Sequence, residues 1–113
     1  MIVGVGVDRC TVARMEAVHG MFGERLIARL LTPAEQTQKV WDAPALARRW
    51  ACKEAVAKAL GTGIGAAYSF QDIEIIYSAN GAPQCVVKGL EGRMHVSMSD
   101  DDGVAIAFAV WER

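Results

Sequence analysis

The 113-residue sequence lacks long hydrophobic runs and an excess of either charge. No stretch approaches the ~18 consecutive apolar residues of a membrane-spanning helix, so we expect no membrane association. No basic segment precedes the first apolar run, so we expect no secretory leader. The net charge is -1, which argues against a nucleic-acid partner bound through a global basic surface.

Cysteine is also scarce. Cys10, Cys52 and Cys85 are odd in number and far apart, and they form neither a disulfide framework nor a C-x-x-C metal motif. We therefore predict a reducing, cytoplasmic location.

The composition is that of a folded chain, with 52% hydrophobic and 22% charged residues. The length accommodates one hydrophobic core, so we predict a single domain spanning 1–113. The apolar fraction is slightly high for so small a domain, which favours self-association.

Local patterns predict an α+β fold. An N-terminal strand at 2–7, interpreted as buried, is followed by helices, the longest at about 44–60. A capping box at Thr32 to Glu35 begins a short helix between them. An antiparallel meander packed on the helices then completes the fold, with strands predicted at 72–75, 84–88, 95–99 and 104–111 and turns at 80–81 and 100–103.

Asp8 ends the first predicted strand. Because strand side chains alternate, Asp8 shares one face with Gly4 and Gly6, which leave room for a ligand or another backbone. An aspartate here also serves simply to cap the next turn, and the local pattern favours neither interpretation.

The long helix carries a second unusual carboxylate. Leu46, Trp50, Glu54 and Lys58 lie four residues apart and form one row, so Glu54 falls where an apolar residue is expected. A carboxylate in such a place needs a partner. The alternative is an exposed Glu54–Lys58 ion pair worth a few tenths of a kcal/mol.

Asp8 and Glu54 together indicate a site for Mg²⁺, which takes one or two carboxylates and shares substrate phosphates. Arg49, Lys53 and Lys58 are cations placed to meet those phosphates. The glycine-rich segment 61–63 either offers backbone N–H groups to an anion or simply ends the helix.

These residues carry a family resemblance. The G-x-D pattern of Gly6 to Asp8 and the W-x-x-K-E-x-x-x-K pattern of Trp50 to Lys58 resemble the paired signatures of the 4′-phosphopantetheinyl transferases. The length and the segments 70–75, 81–83 and 95–97 resemble the small bacterial holo-acyl-carrier-protein synthase type. The resemblance runs nearly from end to end.

The resemblance implies transfer of 4′-phosphopantetheine from coenzyme A to a serine of apo-acyl carrier protein, in support of fatty acid biosynthesis. The product released is adenosine 3′,5′-bisphosphate. It implies Asp8 and Glu54 as Mg²⁺ ligands, which act with Lys58 in catalysis. The implied coenzyme A contacts are Arg49, Lys58, Gly61, Gly63, Pro83 and Ser97. Either a metal-bound water or a carboxylate serves as the base for the serine.

The resemblance also implies a homotrimer with active sites between subunits. We expect the acidic carrier to dock on Arg14, Arg25 and Arg29, although a solvated helix face explains each arginine equally well.

The sequence departs from the family at Arg9 to Thr11, at Ser99–Asp100, where many members carry a histidine, and at Cys52, which we interpret as a small buried hydrophobe. Two alternatives stay open: a coenzyme A-binding module without transfer activity, and a Mg²⁺-dependent phosphohydrolase.

Overall fold

The computed structural model describes residues 1–113 and has the predicted α+β architecture. The helices and strands follow in the order β1 Ile2–Thr11, α1 Val12–Phe22, α2 Glu24–Leu30, α3 Pro33–Gln36, α4 Ala43–Ala59, β2 Ile73–Tyr77, β3 Pro83–Val87, β4 Arg93–Asp101 and β5 Val104–Glu112, with a short 3-10 helix at Phe70–Asp72 before β2.

The five strands form one antiparallel sheet in the order β1-β5-β4-β3-β2. β2 to β5 are the predicted meander, and β1 joins it at the edge beside β5. The last turn is shorter than predicted, because β4 continues through Asp101. Asp102 and Gly103 alone make the connection, both with positive φ (51° and 76°), as a two-residue hairpin requires.

Polar side chains cap the starts of α1, α3 and α4. The Thr11 side chain accepts a hydrogen bond from Arg14 N at the start of α1. Thr32 and Glu35 form the predicted capping box of α3, with Pro33 in its first turn. Asp42 caps α4 by accepting from Ala45 N. These caps fix where each helix leaves the preceding loop.

The buried core lies between α4 and one face of the sheet. Small residues line both surfaces there, including Ala107 and Ala109 on β5 and Ala55 on α4, so the helix and the sheet pack closely. Cys52 is fully buried, as expected, and all three cysteines are free. No helix combines the length and hydrophobicity needed to span a membrane. The cytoplasmic location stays a prediction.

The interpretation of β1 as a buried strand was wrong. β1 is an edge strand with two different faces, and Val3, Val5 and Val7 are 42%, 59% and 45% exposed on the outer one. The inner face packs on α4 through Gly4 and Gly6. An added Cβ on either glycine would lie 1.9 Å from a carbonyl oxygen of α4, so only glycine permits this approach.

Candidate active site

The close packing of β1 on α4 brings Asp8 to the side chain of Lys58. Lys58 Nζ lies 3.0 Å from Asp8 Oδ1 and donates a second hydrogen bond to Val7 O at 3.1 Å. Asp8 follows Gly4 and Gly6 on the inner face of β1, as the alternation predicts. The alternative interpretation, an exposed Glu54–Lys58 ion pair, is not observed, because Lys58 reaches across to the strand instead.

Glu54 lies one helical turn before Lys58 and makes no hydrogen bond or salt bridge within the chain. Its carboxyl is half-buried. Burial raises the pKa of Glu54 above its ordinary value, and the negative charge of Asp8 raises it further, while Lys58 and Arg14 act in the opposite direction. Asp8, which is bound to Lys58 one turn further along α4, is thus a neighbour of like charge to Glu54.

Two neighbouring carboxylates, of which only Asp8 is paired with a lysine, fit a divalent cation. The excess negative charge would be neutralised by the cation, and the unpartnered Glu54 carboxylate provides a free oxygen ligand. Two carboxylates fill only part of the coordination shell of such a cation, and the other positions would be left to water and substrate oxygens. That is the pattern typical of Mg²⁺ in phosphate chemistry.

Arg49 and Lys53 are not at this site. They point into the interior, where they are 2% and 0% exposed and both bind Glu35. Arg49 Nη1 also donates to Ile75 O at 2.7 Å, and although Arg49 Nε has no hydrogen-bond partner, it too is buried away from any phosphate at the surface. The expected phosphate contact of Arg49 and Lys53 is therefore not supported, since both side chains are buried against Glu35 and do not reach the surface.

The sequence analysis missed Glu35 as a partner of the long helix. The capping box already gave the Glu35 side chain a role at the start of α3. Nothing nearby in the sequence indicated that Glu35 also has two basic partners, 14 and 18 residues away. The one available signal was the pair of cations four residues apart on an otherwise alanine-rich helix, since buried cations require a carboxylate.

The residues predicted to contact coenzyme A are dispersed within one chain. The backbone N–H groups of Gly61 and Gly63 donate to Lys58 O (3.0 Å) and Ala57 O (3.2 Å), so they end α4 rather than leave donors for an anion. Pro83 lines a cavity of about 490 Å³ between β3 and β4. Ser97 pairs with Phe108 on the outer face of the sheet, opposite to Asp8.

The three arginines predicted for docking surround an apolar depression near Glu54. Arg25 and Arg29 line a cavity of about 280 Å³ together with Trp50, the residue one turn before Glu54. Arg14 stacks over the Trp50 ring at 5.7 Å. The rest of the lining is apolar and comes from Val18, Phe22 and Leu26. A basic rim around an apolar centre thus adjoins the carboxylate pair.

A family model described as "4'-phosphopantetheinyl transferase superfamily" matches residues 4–109. A holo-[acyl-carrier-protein] synthase of Methylobacterium sp. is 40% identical, with 99% of this chain and 95% of that protein covered. A synthase of the same name from Geobacillus sp. is 42% identical, with 100% and 98% covered.

Solved structures agree with these sequence matches. Holo-[acyl-carrier-protein] synthase from Neisseria meningitidis superposes with a TM-score of 0.89 at 36% identity, with both chains covered completely. The Helicobacter pylori synthase in complex with coenzyme A gives a TM-score of 0.89 at 32% identity, with 96% of this chain and 99% of that chain covered.

The raised pKa of Glu54 predicts a stability effect with a defined sign. A carboxyl whose pKa is higher in the folded state destabilises that state once the pH exceeds the unfolded value of ~4.3. Glu54→Gln should therefore melt at a higher temperature than the native sequence at pH 7. This advantage should disappear as the pH falls below about 4, where Glu54 is protonated in both the folded and the unfolded state.

Thermal unfolding followed by circular dichroism without divalent cations measures this effect. The matched control is Glu91→Gln, which removes an exposed carboxylate and should give no advantage at any pH. A Glu54→Gln protein that melts below the native one at pH 7 would show that the pair is not electrostatically strained.

Proposed function

The chain belongs to the 4′-phosphopantetheinyl transferase superfamily, and we propose that Asp8 and Glu54 hold the divalent cation with which it acts as a holo-acyl-carrier-protein synthase. The enzyme transfers 4′-phosphopantetheine from coenzyme A to a serine of apo-acyl carrier protein. The observation that supports the cation assignment is the unpartnered Glu54 carboxylate beside the Asp8–Lys58 pair. We further propose that 1–113 is one transferase domain.

The reaction requires charge neutralisation and alignment more than covalent help from the protein. The serine hydroxyl gives its proton to a base, either a water or a carboxylate, and its oxygen forms a bond to phosphorus. The pyrophosphate P–O bond breaks, and adenosine 3′,5′-bisphosphate leaves with the bond's electron pair. A bound Mg²⁺ would supply positive charge that stabilises the charge developing on the leaving phosphate. Asp8 and Glu54 would hold it, and Lys58 provides a fixed positive charge on the same side of the site.

Transfer is tested by the intact mass of an apo-acyl carrier protein after incubation with coenzyme A and Mg²⁺. We expect the carrier to gain one phosphopantetheine. Asp8→Ala and Glu54→Ala should each remove most activity, and the double variant should lose little more, because the two carboxylates act on one cation. Glu91→Ala, which removes an exposed carboxylate elsewhere, is the control.

Each other outcome has a distinct meaning. Free phosphopantetheine without carrier modification would indicate a phosphohydrolase, and no product at all would indicate a binding module. Native-like rates in either single variant at limiting Mg²⁺ would refute the cation assignment alone.

We propose that the protein assembles as a homotrimer through the outer face of β1 and β5. Val5, Val7, Ile106 and Phe108 are each about half exposed on that face, and Val7 lies directly opposite Phe108 across the two strands. So large an apolar surface is unusual on a monomer. Ser97 lies on this face while Asp8 lies on the other, so an active site that uses both requires residues from two subunits.

Light scattering at micromolar concentration should give about three times the chain mass of 12.2 kDa. Phe108→Asp should shift the mass toward that of the monomer, because a charge cannot be buried there unpaired. Ile106 and Phe108 are similarly exposed, so Ile106→Val, which keeps the face apolar, is the control. A fully active native monomer would contradict both the trimer and the shared site.

We propose that acyl carrier protein docks on the depression bounded by Arg14, Arg25 and Arg29. Carriers of this kind are acidic, so the basic rim would guide association while Trp50 and its apolar neighbours bury carrier side chains. The location of the depression supports this proposal, since Arg14 is near enough to Glu54 for its positive charge to offset part of the rise in the pKa of Glu54. A serine on a carrier bound there is delivered beside the carboxylate pair.

Charge reversal tests the docking proposal. Arg25→Glu or Arg29→Glu should weaken apparent carrier affinity by roughly 1–3 kcal/mol at low salt, with a smaller effect at high salt, where the charges are screened. The coenzyme A KM should be unchanged. The control is Lys39→Glu, which reverses the charge of an exposed residue outside the depression. If both variants keep the native carrier KM at low salt, the carrier docks elsewhere.

A further inference from the structure

The buried cluster of Glu35, Arg49 and Lys53 has no part in the proposed chemistry. All three side chains are at most 2% exposed. Ionised groups in an apolar interior are costly unless they are paired and fully hydrogen-bonded, and apolar residues in their place are often no less stable. Stability alone is thus a weak explanation for three buried charges beside the catalytic helix.

Glu35 uses both carboxylate oxygens. Oε1 accepts from Lys53 Nζ at 2.6 Å and from Thr32 N at 2.8 Å. Oε2 accepts from Arg49 Nη1 at 2.5 Å and from Ile75 N at 3.1 Å. One carboxylate therefore links α3, α4 and β2.

Lys53 is equally saturated. Its ammonium has three protons, and it donates to Glu35 Oε1, to Leu30 O at 2.7 Å and to Phe70 O at 3.0 Å. These acceptors lie on α3, on the last residue of α2 and on the 3-10 helix. Any rotation of α4 about its axis would break several of these bonds together.

The other side of α4 is also fixed. Ala55 and Ala59 lie under Gly6 and Gly4 of β1, where no added carbon would fit. Successive helix residues are ~100° apart around the axis, so Glu54 lies between the Lys53 side and the Ala55 side. The direction of the Glu54 side chain is therefore set by two contacts, one ionic and one steric.

We propose that Glu35 is a positioning residue that fixes the rotation of α4 through Arg49 and Lys53 and thereby directs Glu54 toward Asp8. This inference rests on the proposed function, because it assigns Glu35 a role through the cation ligand Glu54. A purely structural Glu35 would change stability only. A positioning Glu35 changes cation affinity and turnover in protein that is still folded.

The test uses Glu35→Asp and Glu35→Gln. Asp keeps the charge but is one methylene shorter, whereas Gln loses the charge and places an amide donor against a cation. Three quantities are measured at a temperature where circular dichroism shows full folding: kcat, the KM for apo-carrier, and Mn²⁺ affinity by electron paramagnetic resonance. We expect kcat and Mn²⁺ affinity to fall by roughly 10–100-fold, which is the usual effect of mutating a residue that orients a metal ligand without binding the metal itself. The carrier KM should be unchanged.

The control is a core variant at Ile73, an apolar residue that is fully buried on β2. Of Ile73→Val and Ile73→Ala, the control is the variant whose melting temperature is nearer to that of Glu35→Asp. We expect this variant to keep the native kcat and Mn²⁺ affinity. If Glu35→Gln does not fold, Glu35→Asp decides the test.

The two proposals fail in different ways. Native protein that transfers phosphopantetheine and binds Mn²⁺, together with Glu35 variants that lose only melting temperature, would overturn the positioning role alone. Native protein that neither transfers the group nor binds Mn²⁺ would overturn the proposed function first.

Discussion

The close approach of β1 to α4 is the constraint on which the rest of the site depends. Gly4 and Gly6 let the carbonyl oxygens of Ala59 and Ala55 reach the strand where any larger residue would collide with them. This contact places Asp8, two residues further along the same face, next to Lys58. Without it, the two carboxylates would belong to separate surfaces of the fold.

The same contact explains the unequal faces of the sheet. Small residues on the inner face let α4 pack closely, and the larger apolar residues of β1 and β5 are left on the outer face. In the proposed trimer that outer face is covered by another subunit, so one arrangement of side chains accounts for both the carboxylate pair and the assembly. The buried Glu35 cluster completes the account, because it holds the far side of the helix that bears Glu54.

Much of this structure could be predicted from local sequence. The capping box at Thr32 and the alternating strands after residue 70 follow from short-range chemistry, and the structure confirms them. The inner-face position of Asp8 follows from the period of two in a strand. The destinations of Arg49 and Lys53 could not be predicted, because their partner Glu35 is distant in sequence and α4 carries charged residues on more than one side. The exposure of β1 was missed because an apolar run does not reveal whether its second face meets the core or another molecule.

The central claim is that Asp8 and Glu54 form one cation site in this transferase. A crystal structure of the protein grown with coenzyme A and Mn²⁺ tests it most directly, since anomalous scattering locates Mn²⁺ independently of the protein model. We predict a Mn²⁺ peak within coordination distance of both carboxylates, with the pyrophosphate of coenzyme A on its open side. Bound coenzyme A without Mn²⁺ between Asp8 and Glu54, or Mn²⁺ at another site, would contradict the account.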